Sequence, residues 1–418
     1  YDYPEPDTDS FGVYLEAAPH PWQSSHHLLR VGIDTLSSTP QIRGRRATEP
    51  GGPGVNLEYR KPLHLTFLVD TSGSMQSDDK SGLVVRSLEY LVTQLNEEDT
   101  IAIATYAGAT RQVLLPTSAS EQTTIVAALK SLQSGGGTAM NSGMELAYRM
   151  ASDEYVSGHE NRVIVLSDGD ANIGRSSHEE ILSSISTYAG QGITMTTVGF
   201  GMGNYQDTMM EQLANKGDGN YYYIDSYSEA KKVFGTDLAG TVQTVARDVK
   251  IQVEFHEEAV ISYRLVGYEN RDIADKDFRN DKVDAGEIGT GHQVTALYNV
   301  ILRDDPTGDM ATVRIRHKKP GPEQPAVEQS VAFPAAAVHL EFQEASPSFR
   351  LAFGVASFSE LLRGSRYSDE VSYGDVATIV QNAASPDSAQ QAELLALIQK
   401  AGALSGEAVA VSFRPENN

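Results

Sequence analysis

The sequence contains no cysteine. Disulfides, thiolate zinc sites and cysteine nucleophiles are therefore excluded, and any bound metal must be held by oxygen or imidazole ligands. This absence favours hard cations that prefer oxygen. The sequence also lacks the paired histidines of zinc peptidases, a nucleotide-binding glycine loop of complete spacing and a serine nucleophile elbow.

Positive charge is scarce as well. Lys and Arg number 33 against 56 Asp and Glu, which gives a formal net charge of -23 at pH 7. A surface of this sign repels nucleic acids and anionic membranes, so we expect no nucleic-acid partner. The short basic pieces at 43–46 and 317–319 are interpreted as solvated loops.

Long apolar runs are missing too. No stretch approaches the roughly 20 apolar residues of a membrane helix, so we expect no direct membrane insertion. The chain begins at Tyr1 without an initiator methionine or a signal-like segment, and we expect that an N-terminal signal or anchor has been removed. A length of 418 residues is enough for two or three domains.

The order of apolar patterns predicts an α/β domain over 61–240. Nearly continuous apolar or β-branched runs, typical of strands buried on both faces, alternate with stretches of helical spacing. This alternation predicts a doubly wound, Rossmann-like, mainly parallel sheet. The predicted strands are 64–69, 100–105, 162–166 and 193–198, and the predicted helices are 83–95, 123–133, 141–150 and 179–189.

The flanking segments follow a different pattern. Residues 1–60 contain short strands and end in a Gly/Pro-rich break at 49–54, while period-two alternation predicts an antiparallel β region over 241–345. We expect the N-terminal strands to pair with that region, so that the α/β domain is inserted in a β-sandwich-like domain. Helical spacing returns over 346–418, with Ser388 as the N-cap of the last helix.

A polar motif follows the first predicted strand of the α/β domain. The run Asp70-Thr71-Ser72-Gly73-Ser74 places one carboxylate and two hydroxyls at the carboxyl edge of the sheet, where ligands collect in this fold class. Gly73 permits the sharp turn. Neutral hydroxyls with few carboxylates suit a small hard cation that keeps water and leaves room for an outside ligand. The same residue types crowd ordinary turns, so the motif alone leaves a purely structural interpretation open.

Two further loops strengthen the metal interpretation. With Thr138 in a glycine-rich loop and Asp168 after a later strand, the chain resembles the von Willebrand factor type A (VWA) family over residues 60–240. The resemblance implies that Asp168 is a carboxylate ligand or an outer hydrogen-bond acceptor, and that the direct or water-mediated metal ligands are Asp70, Ser72, Ser74 and Thr138. Mg²⁺ is the expected ion, with Mn²⁺ or Ca²⁺ as alternatives.

The resemblance also implies a function. In the family this metal-ion-dependent adhesion site keeps an open coordination position, which a partner protein fills with an Asp or Glu side chain. We therefore expect a non-enzymatic, metal-dependent adhesion or scaffolding protein. The segments 11–33, 263–270 and 281–298 resemble the extensions of a bacterial subgroup of VWA proteins. That likeness implies a place in the bacterial envelope or at the surface, periplasmic or lipoprotein-anchored.

Two other functions stay open. A Mg²⁺ with an open position can activate water, which would make the chain a Mg-dependent hydrolase. Against this, no His or Lys stands near the five predicted metal residues in the sequence to serve as a general base, and their spatial neighbours are left open. The metal could also be structural, bridging three loops without a metal-dependent partner.

Elsewhere, the acidic run 272–287 could bind a second cation, but it lacks the EF-hand spacing and is interpreted as a solvated loop.

Aromatic residues are interpreted as structural. The tyrosine triplet at 221–223 has strand spacing, which places some rings in the core and others at the surface. Trp22, the only tryptophan, is interpreted as a core residue. Neither feature is predicted to bind a partner.

Overall fold

The computed structural model describes residues 1, 3, 11–35, 61–169, 175–201, 207–236, 244–267, 273–281, 283, 285–319, 324–407 and 409. The predicted domain boundaries at 60 and 240 lie outside the described residues, as do the basic piece at 43–46 and the break at 49–54. The boundaries, including the one at 345, stay predictions.

The described elements alternate as the sequence patterns predict. In chain order the strands are β1 (Phe11–Pro19), β2 (His27–Thr35), β3 (Leu63–Asp70), β4 (Thr100–Tyr106), β5 (Thr110–Ser118), β6 (Glu160–Ser167), β7 (Ile193–Phe200), β8 (Tyr221–Ile224), β9 (Thr244–Phe255), β10 (Val260–Leu265), β11 (Gly286–Gly289), β12 (Gln293–Leu302), β13 (Asp309–Lys318) and β14 (Ala326–Pro334). The helices are α1 (Leu83–Val92), α2 (Gln122–Lys130), α3 (Met140–Asp153), α4 (Arg175–Gly190), α5 (Asp207–Lys216), α6 (Tyr227–Lys231), α7 (Pro347–Leu362), α8 (Tyr373–Ala383) and α9 (Ala389–Leu404).

A six-stranded sheet forms the centre of the α/β region. Its order is β5-β4-β3-β6-β7-β8, and the strands are parallel except for β5, which runs antiparallel to β4. Helices α1, α2 and α6 pack on one face through residues such as Leu88 and Ile125. Helices α3, α4 and α5 pack on the other through residues such as Met144 and Leu213. The predicted doubly wound fold is confirmed.

Two antiparallel four-stranded sheets face each other outside this region. One has the order β1-β2-β12-β10, with Val31 opposite Ala296, and the other has the order β11-β9-β13-β14, with Ile315 opposite Ile251. Their inner side chains share one core, in which Val31 of β2 lies with Val313 of β13. The N-terminal strands therefore pair with the later β region, and the predicted β-sandwich-like arrangement is confirmed.

The α/β region is inserted between β2 and β9 at a single place on the sandwich. Thr35, the last residue of β2, donates its hydroxyl to the carbonyl of Gly289 at 3.0 Å. Thr244, the first residue of β9, is the register partner of the same Gly289. The two ends of the insertion consequently lie close together beside β11.

The C-terminal helices pack on the first sheet of the sandwich. Phe349 and Phe353 of α7 share a core cluster with Leu28 of β2, and α8 and α9 form a further cluster behind them. Ser388 accepts a hydrogen bond from the Gln391 N–H, so the predicted N-cap of α9 is confirmed. No helix among the described residues is long and apolar enough to cross a membrane.

Three details refine the sequence interpretation. The piece at 317–319 is not a solvated loop: His317 and Lys318 belong to β13, where the alternation of Val313 and Ile315 continues inward and buries His317. Trp22 is half-buried between the two clusters around α7, with its ring centroid 5.1 Å from that of Phe353. The tyrosine triplet forms β8 and is divided between core and surface, as predicted.

Candidate functional site

Asp70 is the centre of the candidate site. It ends β3, is 1% exposed and lies beside the last residue of β4 in the sheet. Its Oδ1 accepts the Ser72 N–H at 2.8 Å. Its Oδ2 accepts the hydroxyls of Tyr106 at 3.0 Å and Ser167 at 2.8 Å. The carboxylate is therefore fixed by donors from the carboxyl ends of three adjacent strands.

The electrostatics of Asp70 favour a cation. Burial raises the pKa of its carboxyl, while the hydrogen bonds from Ser72, Ser167 and Tyr106 oppose that rise. Burial and the charge of Asp70 also raise the pKa of Tyr106, so its phenol stays a donor. A carboxylate surrounded by neutral donors leaves negative charge that a metal ion could balance.

The two motif serines meet above this carboxylate. The Ser72 and Ser74 hydroxyl oxygens lie 3.0 Å apart, with Ser72 buried and Ser74 partly exposed. Gly73 begins a short 3-10 turn, and its N–H donates to the carbonyl of Gly136 at 3.1 Å. The alternation of the motif therefore turns both hydroxyls to the same side.

Backbone contacts bring the second loop to the site. The Gly135 N–H donates to the Thr71 carbonyl at 2.8 Å, and Gly136 adopts φ +96°, a region that favours glycine. A Cβ at Gly136 would lie only 3.2 Å from the Gly108 nitrogen. Thr138 follows in this loop and is partly buried, and its hydroxyl makes no hydrogen bond within the described part of the chain. The loop, rather than a side-chain contact, positions Thr138.

The third loop adds Asp168 and an unpredicted cation. Asp168 follows β6 and is 3% exposed. Its Oδ2 accepts the Lys80 ammonium at 2.9 Å, and the same ammonium donates to the Ser74 carbonyl at 3.1 Å. The sequence left the spatial neighbours of the motif open, and the structure adds Lys80 to them.

Sequence reasoning missed three residues of the site: Lys80, Tyr106 and Ser167. Tyr106 and Ser167 end strands adjacent to β3, so the rule that ligands collect at this edge could have identified them. Lys80 gave no such signal. It reaches Asp168 because residues Asp78–Gly82 form a π turn before α1, which spacing alone does not predict.

The donor set fits a small hard cation. Among the described residues, no three His, Asp or Glu side chains cluster to hold a metal, so a metal here would depend on hydroxyl oxygens beside the carboxylates. The 3.0 Å separation of the Ser72 and Ser74 oxygens matches two neighbouring ligands of an octahedral ion with bonds of about 2.1 Å. The residues therefore fit Mg²⁺ chemically.

A groove lies beside the motif on the α1 side of the sheet. Its volume is about 660 Å³, and Asp70 and Thr71 line it together with Val84, Arg86 and Leu132. Apolar and basic side chains thus adjoin the candidate site.

The acidic run at 272–287 has protein partners where it is described. Asp275 accepts from Gln252 at 3.1 Å, Asp277 from Asn280 at 2.9 Å, and Asp281 from Arg316 at 2.6 Å. Asp272 and Asp284 lie outside the described residues. These contacts agree with a surface segment as far as Asp281, but Glu287 lies in β11 and not in a loop. Binding of a second cation there stays untested.

Comparison with known proteins identifies the class that this fold and site define. The sequence model of the von Willebrand factor type A domain matches residues 64–236. A second model, described as the C-terminal region of Uncharacterized protein YfbK, matches residues 240–308 and 303–404. The molecule is thus a VWA-domain protein whose C-terminal region matches that of YfbK.

The relatives define the family. The chain is 36% identical over 411 residues to Uncharacterized protein YfbK of Escherichia coli (strain K12), covering 94% of this chain and 68% of that protein. The chain belongs to the YfbK family of VWA proteins. It is also 25% identical over 267 residues to the human Inter-alpha-trypsin inhibitor heavy chain H3, covering 58% of this chain and 29% of that protein.

A solved structure supports the fold. The von Willebrand factor type A protein from Catenulispora acidiphila matches with a TM-score of 0.50 and 14% identity, covering 94% of this chain and 89% of that one. VWA domains generally mediate protein–protein interactions and are typically non-enzymatic. The function of this chain therefore has to be argued from its own site.

Proposed function

We propose that this protein binds a protein partner through a divalent metal ion, which captures an Asp or Glu side chain of that partner. The observation that carries the proposal is the pair of Ser72 and Ser74 hydroxyls, 3.0 Å apart, beside the buried Asp70 carboxylate. Mg²⁺ is the proposed ion, with Mn²⁺ or Ca²⁺ as substitutes. The residues that would hold it are Asp70, Ser72, Ser74 and Thr138, with Asp168 as ligand or outer acceptor.

The charge of the donor set supports an acidic partner. Serine and threonine hydroxyls are neutral, so a divalent ion held mainly by them keeps much of its positive charge. When bound, the ion supplies an electrophilic position for a carboxylate oxygen. The chain's part is to orient the hydroxyls, and the Gly73–Gly136 and Gly135–Thr71 hydrogen bonds hold the two loops in register for this task.

The chemistry of Lys80 favours binding over hydrolysis. A hydrolase needs a general base near the reacting water, and the side chain that approaches the site is the Lys80 ammonium. Whether or not it is paired with Asp168, an ammonium has three donors and no acceptor, so it cannot accept a proton. We propose a bacterial envelope or surface location on the basis of the family likeness.

Calorimetric titration of metal-stripped protein with Mg²⁺, Mn²⁺ and Ca²⁺ tests the metal. We expect one site, at least tenfold weaker in Ser74→Ala and lost in Asp70→Asn, which removes the charge while keeping the shape. Ser120→Ala is the matched control, because Ser118 and Ser120 form a similar exposed hydroxyl pair, 2.8 Å apart, remote from the motif. No binding by the intact protein would sink the proposal.

Retention on a surface coupled with glutamate, compared with one coupled with glutamine, tests the acidic ligand. Retention on glutamate only, reversed by a chelator, supports the proposal. If the chelator instead unfolds the protein and neither surface retains it, the metal is structural. Mg-dependent turnover of p-nitrophenyl phosphate that disappears in Asp70→Asn would establish the hydrolase alternative instead.

A further inference from the structure

Lys80 reaches the candidate metal site from outside the motif. Its ammonium lies 2.9 Å from Asp168 Oδ2 and 3.1 Å from the Ser74 carbonyl oxygen. The Asp168 side chain is 3% exposed and that of Lys80 is 21% exposed. The ion pair is therefore largely removed from water. Two charges attract each other more strongly in such a partly buried place than at an open surface.

The backbone at Gly201 makes room for the lysine stem. A Cβ at this position would lie 2.6 Å from Lys80 Cε and 2.7 Å from Lys80 Cγ, so a larger residue would displace the stem. Gly201 has φ +92°, and its carbonyl accepts the Tyr223 hydroxyl, which fixes this backbone at the end of β7. The space at Gly201 therefore fixes the course of the lysine stem and places its ammonium at Asp168.

We infer that Lys80 is an internal competitor of the metal ion at this site. The inference rests on the proposed function. Without metal, the ammonium balances the Asp168 charge and holds the loop of Ser74. A divalent cation at the motif hydroxyls brings like charge next to that ammonium, so Lys80 leaves Asp168 when the ion binds. Lys80 thereby lowers the affinity for the ion and keeps the site ordered without it.

Metal affinity provides the first readout. Lys80→Met keeps the aliphatic stem on Gly201 and removes the charge. Lys130→Met is the matched control, because Lys130 pairs with Glu89 at 3.3 Å in the same region but is 65% exposed. Titration of Mg²⁺ into the stripped full chain should give about tenfold tighter binding in Lys80→Met and a change of less than about twofold in the control.

Thermal melting distinguishes displacement of Lys80 from Asp168 by the ion from mere repulsion between the ion and a Lys80 that stays in place. Stripped Lys80→Met should melt below the native chain, because Asp168 loses the Lys80 ammonium. Saturating Mg²⁺ should close this gap in melting temperature, since the ion pair is then absent from the native chain as it is from the variant. A gap that persists with Mg²⁺ means that Lys80 stays on Asp168, and this overturns the inference. Lys80→Gln, which keeps a donor, repeats the test if the Met variant does not fold.

The outcomes distinguish this inference from the proposed function. If the native chain and Lys80→Met bind Mg²⁺ with equal affinity, the proposed metal site stands and the role of Lys80 is overturned. Binding by Lys80→Met but not by the native chain would support the competition and overturn metal capture by the native protein. Binding by neither would overturn both.

Discussion

At the scale of single residues, the sequence predicted which side chains lie together where these are neighbours in the chain. Asp70, Ser72 and Ser74 come together because a buried strand ends at a tight turn, and both features are visible in the sequence. The ion pair of Lys80 with Asp168 joins residues 88 apart. It depends on the path of the chain through a π turn, and no local pattern contains that information.

His20 gives a prediction of pH dependence at this scale. Burial, followed by the nearby His26 and Arg264, lowers the pKa of His20 to about 4. The neutral ring is thus favoured in the folded chain, and its stabilisation is complete above the unfolded pKa of 6.5. That contribution is lost as pH falls from about 6.5 towards 4, by roughly 1–2 kcal/mol after allowance for partial exposure.

Urea denaturation at pH 7.5 and pH 4.5, followed by tryptophan fluorescence, measures this loss. The reporter is Trp22, whose ring centroid lies 5.8 Å from that of His20. In His20→Gln, the difference in unfolding free energy between pH 7.5 and pH 4.5 should be smaller than in the native chain by roughly 1–2 kcal/mol. An unchanged difference would show that other groups, such as His27, whose pKa burial also lowers, account for the acid sensitivity.

At the scale of elements, strands buried on both faces were predicted well and the edge strand was not. Phe67 and Leu68 point to opposite cores of the α/β sheet, and such strands have continuous apolar runs. Strand β5 is an antiparallel edge with register shifts, and its Leu115 is 65% exposed while Arg111 faces solvent. Bulges and exposure break the two-residue alternation that would have revealed it.

Helix α3 offers a prediction about packing. A Cβ at Gly143 would lie 2.8 Å from Tyr106 Cβ and 3.2 Å from Leu68 Cδ1, so the helix crosses β3 and β4 at close range. Gly143→Ala should lower the unfolding free energy by about 1–3 kcal/mol, despite the helix preference of alanine, because the core is overpacked. Thermal melting should show the loss. The displaced Tyr106 should also weaken metal binding through Asp70.

The control for this change is Gly374→Ala, near the start of α8. A Cβ there would have its nearest neighbour, Glu407 Oε1, at 3.4 Å, an ordinary contact. This variant should be within about 1 kcal/mol of the native chain or slightly more stable. Equal melting temperatures for the two variants would show that α3 relaxes away from the sheet.

At the scale of the whole molecule, period-two alternation predicted the sandwich, but its register came only from the structure. Val31 opposite Ala296 and Ile315 opposite Ile251 are pairings that depend on which strands meet. The convergence of Thr35 and Thr244 on Gly289 could not be predicted from the sequence either. It follows from long-range contacts, which composition and periodicity do not contain.

This convergence predicts that the sandwich folds without its insertion. Replacing residues 36–243 with a linker of about six Gly and Ser residues should leave a β-rich protein with one cooperative denaturation transition, because Thr35 and Thr244 already meet at Gly289. Circular dichroism during heating measures this. Removing residues 1–35 from the linker variant as well should abolish the transition, since the first sheet then loses β1 and β2. A non-cooperative linker variant would contradict the prediction.

The same arrangement has a consequence for synthesis on the ribosome. Thr35 and its partner Gly289 are 254 residues apart in the chain. At about 5–20 residues per second, the hairpin of β1 and β2 waits roughly 10–50 s before β12 emerges. A two-stranded hairpin is marginal alone in water, whereas the α/β region is complete in sequence before β9 begins. The inserted domain can therefore fold first, and its completion brings the outer strands together for assembly.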